Sequence, residues 1–261
     1  MIQRILTAAV ALIIFVPLVI YGEWPFMLLI YLMATIGFFE LINMDKNSRF
    51  ILPVLTSVLA LWGLMYPGSG EEIPYIHLTR TDIVIVLSML LCMYTVLLKN
   101  RFTFQTAGFY LMSLVYIGIG FYFFMHIRDV GLSYLLYALF IVWATDTGAY
   151  FFGRSLGKRK LMPAISPKKT VEGALGGILC ACIVAIVFQL IKPFSVPMIG
   201  IIGITISASM VGQLGDLVES AFKRHFGVKD SGNILPGHGG ILDRFDSLLF
   251  VLPFLYVVGF I

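Results

Sequence analysis

The sequence has little charge. Only 12% of its 261 residues are Asp, Glu, Lys or Arg, whereas 59% are hydrophobic. Soluble domains carry about twice that share of charged residues, so a water-soluble globular fold is excluded. Aromatic residues make up 14% of the chain. This content excludes a disordered protein, because disordered chains are poor in aromatics. A lipid bilayer is the solvent that suits the composition.

The sequence also has few cysteines. Cys92, Cys180 and Cys182 all lie inside apolar runs. Cys180 and Cys182 are two residues apart, so they do not share a face of a helix. The cysteines therefore support neither a disulfide framework nor a zinc site.

Long apolar stretches dominate what is present. A transmembrane helix needs about 20 predominantly apolar residues. A membrane-spanning barrel is disfavoured, because the stretches lack the alternation of polar and apolar residues that a barrel wall requires. We therefore predict an all-α polytopic integral membrane protein with about nine transmembrane helices. The predicted spans are residues 4–21, 24–42, 50–66, 81–98, 106–125, 132–152, 173–191, 195–218 and 246–261.

The distribution of Lys and Arg predicts the orientation of these spans. When alternate connections are assigned to the same side, 15 of the 18 basic residues fall on the side of the N-terminus. Cytoplasmic connections of membrane proteins carry an excess of Lys and Arg. We therefore expect a cytoplasmic N-terminus and, with an odd number of spans, a C-terminus on the outside.

The polar residues are concentrated in the second half of the chain. Residues 1–130 are expected to form an N-terminal transmembrane scaffold of about five helices, because their connections are short and their spans hold little charge. Residues 131–261 are expected to form a catalytic transmembrane domain with two basic cytoplasmic loops, 153–172 and 219–245. Of the 18 Lys and Arg residues, 11 lie between Arg154 and Arg244. This concentration predicts an acidic ligand, either phosphate groups or anionic lipid headgroups.

Two predicted spans contain an aspartate, Asp146 and Asp216. A carboxylate inside a spanning helix costs about 2.5–3.5 kcal/mol on insertion scales, so such a residue usually faces a cavity or a partner. Glu219 and Ser220 follow Asp216 on the same helix face and add further oxygen atoms. For Asp146, an interfacial position wetted by headgroups is the open alternative.

The loop 153–172 combines glycines with cations. Backbone N–H groups approach a phosphate closely at glycines, while Lys and Arg neutralise its charge. The loop is not a Walker A motif, because three residues instead of four separate Gly153 from Gly157. Arg159 also replaces the Ser or Thr that holds magnesium in that motif. A loop that merely follows the cytoplasmic excess of positive charge is the open alternative.

The segment from Ser220 to Asp246 carries the strongest pattern. Three cations are followed by a Pro-Gly-His-Gly-Gly turn and two carboxylates. Asp243 and Asp246 share a face if the last helix begins there. Together with Asp216 they predict an all-oxygen Mg²⁺ site, since this hard cation prefers carboxylates, water and substrate phosphates. His238 in the turn is either a general base or a structural residue that binds backbone.

This segment resembles the signature of the phosphatidate cytidylyltransferase (CDP-diacylglycerol synthase) family. The signature runs Ser-x-apolar-Lys-Arg, four residues, Lys-Asp, and then apolar-Pro-x-His-Gly-Gly-apolar-x-Asp-Arg-apolar-Asp. Residues 220–246 meet every fixed position. Residues 166–173 and 146–154 are similar to further motifs of that family. The resemblance covers the C-terminal half in detail and the N-terminal half only as apolar spans.

The resemblance implies transfer of CMP from CTP to the phosphate of phosphatidic acid, with release of pyrophosphate. Both substrates are polyanions, so metal and side-chain cations are needed to screen their repulsion during in-line attack. The expected catalytic residues are Asp216, Asp243, Asp246 and Asp146, of which the first three would bind Mg²⁺. A second cation that bridges the phosphates is left open. The expected substrate-binding residues are Ser166, Lys168, Lys169, Thr170, Glu172, Lys223, Arg224, Lys229, Asp230, His238 and Arg244.

The resemblance also suggests a homodimer. The expected partners are CTP, phosphatidic acid and membrane lipid, without nucleic acid. The expected location is a bacterial inner membrane, with the active site on the cytoplasmic side. Two other activities are kept as alternatives: a lipid kinase of the polyprenol type, and a cation-coupled transporter that relays ions through Asp146 and Asp216. Against the transporter, nearly all polar residues lie on one predicted face of the membrane.

Overall fold

The computed structural model describes residues 2–45, 50–66 and 78–261. Lys46 and Arg49, which contribute to the predicted orientation, lie outside the described residues. The helices are α1 (Ile2–Tyr21), α2 (Glu23–Met44), α3 (Ile51–Leu64), α4 (Arg80–Leu97), α5 (Phe104–Val130), α6 (Leu132–Leu156), α7 (Val171–Ile191), α8 (Met198–His225), α9 (Leu242–Phe245) and α10 (Leu248–Val257). The strands are β1 (Lys160–Met162) and β2 (Ser166–Thr170).

The helices confirm the prediction of an all-α membrane protein. Each predicted span overlaps one helix of ten residues or more. In the described part of the chain, six helices are long and apolar enough to cross a membrane, namely α2 and α4 to α8. The apolar part of α1 and the helices α3 and α10 are shorter. The number of nine spans and the orientation therefore stay predictions.

Helix ends differ from the predicted loop boundaries. Helix α6 continues to Leu156 and α8 to His225, so each extends beyond its apolar run. The loop 153–172 contains the antiparallel hairpin β1–β2, in which Lys160 pairs with Thr170 and Met162 with Ser166. These polar extensions are regular because backbone groups at the end of a span still form hydrogen bonds within helix or strand.

The chain folds into two compact units. Unit 1 consists of Met1–His126 and Asp230–Asp243, and unit 2 of Ile127–Lys229 and Arg244–Ile261. Asp230–Asp243, the middle of the loop 219–245, therefore belong to the same unit as the N-terminal helices. The division into a scaffold of residues 1–130 and a catalytic domain of residues 131–261 stays a prediction.

Unit 1 has an aromatic core. Phe102 lies edge-on to Phe50 and to Tyr110, with ring centroids 5.3 and 5.4 Å apart. Phe38 of α2 also lies edge-on to Tyr110, with ring centroids 6.2 Å apart. The rings of Phe38, Phe102 and Tyr110 are fully buried. Edge-to-face aromatic pairs of this kind stabilise a core beyond the area they bury.

Unit 2 has a close crossing of α6 and α7. Glycines line both sides of the contact, and Gly148 and Gly177 show why. A Cβ on Gly148 would lie 2.8 Å from the Cys180 Sγ atom, and one on Gly177 would lie 2.6 Å from the carbonyl oxygen of Thr145. Small residues let helix backbones approach within a membrane, where packing rather than water exclusion drives association.

Two hydroxyl pairs join α6 to α8. Thr145 Oγ1 and Ser209 Oγ are 2.8 Å apart, and Tyr137 OH and Thr205 Oγ1 are 2.7 Å apart. All four side chains are buried. Such pairs satisfy polar groups that would otherwise be orphaned in an apolar interior. They fix the register of α8, which carries Asp216, against α6, which carries Asp146.

Candidate active site

A cavity opens in unit 2 where predicted functional stretches meet. Its volume is about 380 Å³, and its walls come from α6, the hairpin, α7 and α8. The predicted site residues that line it are Asp146, Lys168, Lys169, Thr170 and Asp216. The structure thus brings the aspartates of two spans together with the lysines of the basic loop.

Asp216 is held by two neighbours. Lys169 Nζ lies 2.6 Å from Asp216 Oδ2, and Ser220 Oγ donates a hydrogen bond to Asp216 Oδ1 at 3.3 Å. The Lys169 and Asp216 side chains are 27% and 31% exposed, so the ion pair is open to the cavity.

Asp246 lies close to the same helix, α8. It lies between α9 and α10, outside both helices. A Cβ on Gly215 would lie 2.8 Å from the Asp246 carbonyl oxygen, so the glycine permits this approach. Burial of the carboxyl, together with the negative charges of Asp216 and Glu219, raises the pKa of Asp246 well above its ordinary value. Carboxylates therefore crowd one end of unit 2.

The donor set suits Mg²⁺ in its chemistry. Carboxylate oxygens are the protein ligands this ion prefers, and a divalent cation relieves the repulsion between Asp216 and Asp246. Within the described residues, no group of three or more His, Cys, Asp or Glu side chains is arranged to hold a metal ion as it stands. Asp216 is engaged by Lys169 instead. The metal site therefore stays a prediction.

Two predicted substrate-binding residues have structural partners. Thr170 Oγ1 accepts the N–H of Gly173 at 3.1 Å and caps the start of α7. The Glu172 carboxylate accepts the N–H groups of Lys158 and Arg159 at 3.0 and 3.1 Å. These bonds shape the turn between α6 and β1. A direct contact of either residue with substrate stays a prediction.

Other predicted residues of unit 2 lie away from the cavity walls. Lys223 pairs with Glu219 at 2.5 Å along α8, and Arg224 Nε donates to the carbonyl of Ile165 at 3.3 Å. The second contact ties α8 to the hairpin. Predicted substrate-binding residues of this unit that do not line the cavity are Ser166, Glu172, Lys223, Arg224, Lys229 and Arg244.

The glycine-rich turn folds within unit 1. The His238 N–H donates to the carbonyl of Leu235 at 2.8 Å, and the Leu235 N–H donates to that of Gly239 at 3.0 Å. Gly237 and Gly239 have φ values of 77° and 86°, in the left-handed region that favours glycine. Asp230, at the start of the segment, is exposed. The turn geometry thus explains two of the three glycines of the Pro-Gly-His-Gly-Gly motif, Gly237 and Gly239.

Asp243 closes this loop with its side chain. Its Oδ2 atom accepts hydrogen bonds from the Gly240 N–H at 2.8 Å, the Ser231 N–H at 2.9 Å and the Ser231 hydroxyl at 2.9 Å. One carboxylate oxygen of Asp243, a predicted metal ligand, is therefore engaged in hydrogen bonds within the loop. Its role as a ligand stays a prediction.

Some residues of interest were not among the predicted site residues. Tyr150, Arg154 and Gln213 line the cavity with the predicted ones. Glu40 of α2 is only 7% exposed and accepts a hydrogen bond from the N–H of Ile241, in the segment 230–243 of unit 1. The available signal for Glu40 was a single carboxylate inside the apolar stretch 24–42, which calls for a buried partner.

Comparison with known proteins identifies the family. The model of the cytidylyltransferase family matches residues 2–261. A phosphatidate cytidylyltransferase of Bacillus subtilis is 52% identical over 257 residues, which cover 97% of this chain and 96% of the relative. One from Staphylococcus haemolyticus is 52% identical over 256 residues, or 98% and 97% of the two chains. One from Staphylococcus aureus is 49% identical over 255 residues, again 98% and 97%. The chain belongs to the cytidylyltransferase family of nucleotide-transferring enzymes.

Proposed function

We propose that this protein is a phosphatidate cytidylyltransferase, which converts CTP and phosphatidic acid to CDP-diacylglycerol and pyrophosphate. The cavity of unit 2 carries the proposal, because it gathers Lys168, Lys169 and Asp216 beside Asp146. Cations and carboxylates in one cavity suit a transfer between phosphate groups. Relatives about half identical over nearly the whole chain carry the same activity in their names.

The reaction needs positioning and charge screening rather than a covalent enzyme intermediate. A phosphate oxygen of phosphatidic acid attacks the α-phosphorus of CTP in line, forming a new P–O bond. The bond from the α-phosphorus to the bridging oxygen of the β-phosphate breaks, and pyrophosphate leaves with that electron pair. The nucleophile is already an anion, so no unique proton acceptor is required.

The cavity lysines are the proposed phosphate ligands. Lys169 is paired with Asp216 through one hydrogen-bonded contact of 2.6 Å. We infer that an incoming phosphate takes Lys169 from Asp216 and so releases that carboxylate. Lys168 and Arg154 line the same cavity and supply further positive charge. This exchange couples the entry of an anionic substrate to the freeing of a metal ligand.

Mg²⁺ is the proposed cofactor, with Asp216, Asp243 and Asp246 as its protein ligands. When bound, the ion supplies charge neutralisation for the phosphate oxygens. The chemistry of the carboxylate oxygens and their crowding near Asp216 support this assignment. A second cation between the phosphates remains part of the proposal, since CTP and phosphatidic acid together bring several negative charges.

The topology and assembly are likewise proposals. We infer a cytoplasmic N-terminus and an active site on the cytoplasmic side of a bacterial inner membrane, where CTP is available. The excess of Lys and Arg on one predicted side supports this orientation. Phosphatidic acid would then enter sideways from the inner leaflet. A homodimer is proposed from the family resemblance alone.

A radiolabel experiment tests the proposed reaction. Purified full-length protein is incubated with cytidine-labelled CTP, phosphatidic acid in detergent micelles and Mg²⁺, and organic-extractable label is counted, with EDTA as the metal control. We expect label in lipid only when phosphatidic acid and Mg²⁺ are both present. Transfer of γ-phosphate label without cytidine would identify a lipid kinase instead and refute the proposal.

Matched variants test the proposed ligands in the same assay. Asp246→Asn removes a carboxylate charge from the crowded end of unit 2. Asp129→Asn makes the same chemical change at an exposed position at the end of α5. We expect Asp246→Asn to lower turnover by at least about a hundredfold, as loss of a metal ligand does, and Asp129→Asn to leave it unchanged. Equal turnover in the two variants would remove Asp246 from the site.

A further inference from the structure

Glu40 is a buried carboxylate in the middle of an apolar helix. It is the only charged residue between residues 24 and 44, and its side chain is 7% exposed. An ionised carboxyl in such a position is retained only with strong partners, and intramembrane carboxylates are usually functional. The cavity described above is not lined by Glu40, so the proposed reaction does not yet account for it.

Within the described part of the chain, the hydrogen-bond partners of Glu40 come from the signature segment. Its Oε1 atom accepts the N–H of Ile241 at 2.9 Å, and its Oε2 atom accepts the N–H of Leu242 at 3.0 Å. The Ser231 hydroxyl also donates to Oε2, at 3.0 Å. Hydrogen bonds to a charged acceptor are stronger than those between neutral groups. One side chain of α2 thus accepts hydrogen bonds from both ends of the loop from residue 231 to residue 242.

The fit around this carboxylate is tight. A Cβ on Gly232 would lie 2.5 Å from Glu40 Oε1, and a Cβ on Gly240 would overlap both carboxylate oxygens. The Leu242 side chain packs where Gly37, one turn earlier on α2, leaves space. The second glycine of the His-Gly-Gly motif is therefore explained by the approach of Glu40, and not by its own backbone conformation.

The loop held by Glu40 also holds Asp243. Ser231 Oγ lies 3.0 Å from Glu40 Oε2 and 2.9 Å from Asp243 Oδ2, so its one proton is shared between two carboxylates. Gly240, whose N–H donates to Asp243, directly precedes the two N–H groups bound by Glu40. A displacement of the loop from Glu40 must therefore displace the Asp243 carboxylate.

We propose that Glu40 is a positioning residue for cytidylyl transfer: it anchors residues 231–242 to α2 and thereby sets the position of Asp243. The inference rests on the proposed function of Asp243 as a metal ligand. Glu40 itself contacts neither substrate nor the reacting atoms. A misplacement of about 1 Å in a catalytic group costs up to about a hundredfold in rate, so a distant anchor has a large effect.

The test compares Glu40→Gln with Glu23→Gln. Both changes replace a glutamate of α2 by an uncharged residue of equal size, but Glu23 is exposed at the helix start. Three quantities are measured on full-length protein in detergent: hydrogen exchange of the amides in 231–242, the Mg²⁺ concentration for half-maximal CTP-dependent transfer, and the thermal unfolding temperature.

Glu40→Gln is expected to act locally. Its amide group can accept only one of the two backbone N–H groups, so exchange at Ile241 and Leu242 should quicken at least about tenfold while the rest of α2 keeps its protection. The half-maximal Mg²⁺ concentration should rise at least about tenfold, as when a residue that orients a metal ligand is changed. A variant of which a smaller fraction is folded has a lower maximal rate of transfer but the same half-maximal Mg²⁺ concentration. Glu23→Gln should match the unchanged protein in all three measurements.

The result that overturns the proposal is wild-type loop protection together with a wild-type Mg²⁺ midpoint in Glu40→Gln. If that variant does not fold, Ser231→Ala decides, because it keeps the Glu40 charge and removes one donor. We expect Ser231→Ala to shift both quantities in the same direction, and unchanged values would overturn the proposal. Asp243→Asn distinguishes the two proposals. Full activity of this variant would refute Asp243 as a metal ligand, while the hydrogen-exchange data still report whether Glu40 anchors the loop.

Discussion

Replacing Gly177 by alanine tests whether the crossing of α6 and α7 supports the cavity. The added Cβ would lie 2.6 Å from the carbonyl oxygen of Thr145 and 3.3 Å from the Cβ of Ala149. Ordinary contacts begin near 3.4 Å, and a backbone carbonyl in a helix cannot turn away. The two helices must therefore move apart. Lys169 and Thr170 directly precede α7, so the movement reaches the cavity wall.

The magnitude follows from a comparison with Gly203. Overpacking of a well-packed interface costs about 1–3 kcal/mol. Alanine also favours a helix over glycine by about 0.5–1 kcal/mol, and this gain applies at both positions. A Cβ on Gly203 of α8 meets no atom within 4 Å in the structure. We therefore expect Gly177→Ala to be less stable than Gly203→Ala by about 1–3 kcal/mol, with Gly203→Ala at or above the unchanged protein.

The assay is unfolding of the three proteins in one detergent, by heat or by denaturant, with CTP-dependent lipid labelling measured in parallel. Gly177→Ala should unfold first and should also lose activity under conditions where it is still folded. Indistinguishable unfolding of Gly177→Ala and Gly203→Ala would refute the reasoning, because it would mean that α6 and α7 do not approach as closely as the structure has them.

Three further changes have defined outcomes. Lys169→Gln should raise the KM for CTP or phosphatidic acid at least about tenfold, because the cavity loses a cation that binds phosphate. The control Lys192→Gln, beyond the end of α7, should leave the KM unchanged. Steady-state kinetics on the purified variants measure both values. Asp216→Asn should abolish transfer without changing membrane insertion, which is measured by cell fractionation. Thr145→Val leaves Ser209 without its hydroxyl partner and should lower stability in detergent by about 0.6 kcal/mol, with a value near zero arguing against a buried pair.

Much of the architecture follows from local sequence. Every apolar stretch predicted as a span contains a helix, because hydrocarbon leaves the backbone no partner other than itself. The motifs at 166–173 and 220–246 were enough to predict the family, and the match over residues 2–261 confirms it. The concentration of cations in the second half of the chain predicted an anion site. Lys168 and Lys169 line the cavity, and their binding of an anion stays a prediction.

Local sequence predicted the element boundaries less well. The hairpin β1–β2 appears in what was expected to be an irregular loop, and α8 runs seven residues past its predicted end at residue 218 to His225. Apolar content marks where lipid surrounds a helix, but a helix continues for as long as its backbone bonds and caps allow. Thr170 is an example of such a cap: its hydroxyl accepts the N–H of Gly173 at the start of α7, a role that the sequence analysis did not predict.

The assignment of polar residues to partners depended on the tertiary structure. The sequence by itself determined that this is a helical membrane enzyme of one family, with aspartates in the signature. Only the tertiary structure decided that Glu40 binds the backbone about 200 residues later, at Ile241 and Leu242, and that Asp216 faces Lys169. Hydropathy is summed over neighbours along the chain, whereas a buried charge is satisfied by whichever donor the fold brings within hydrogen-bond distance.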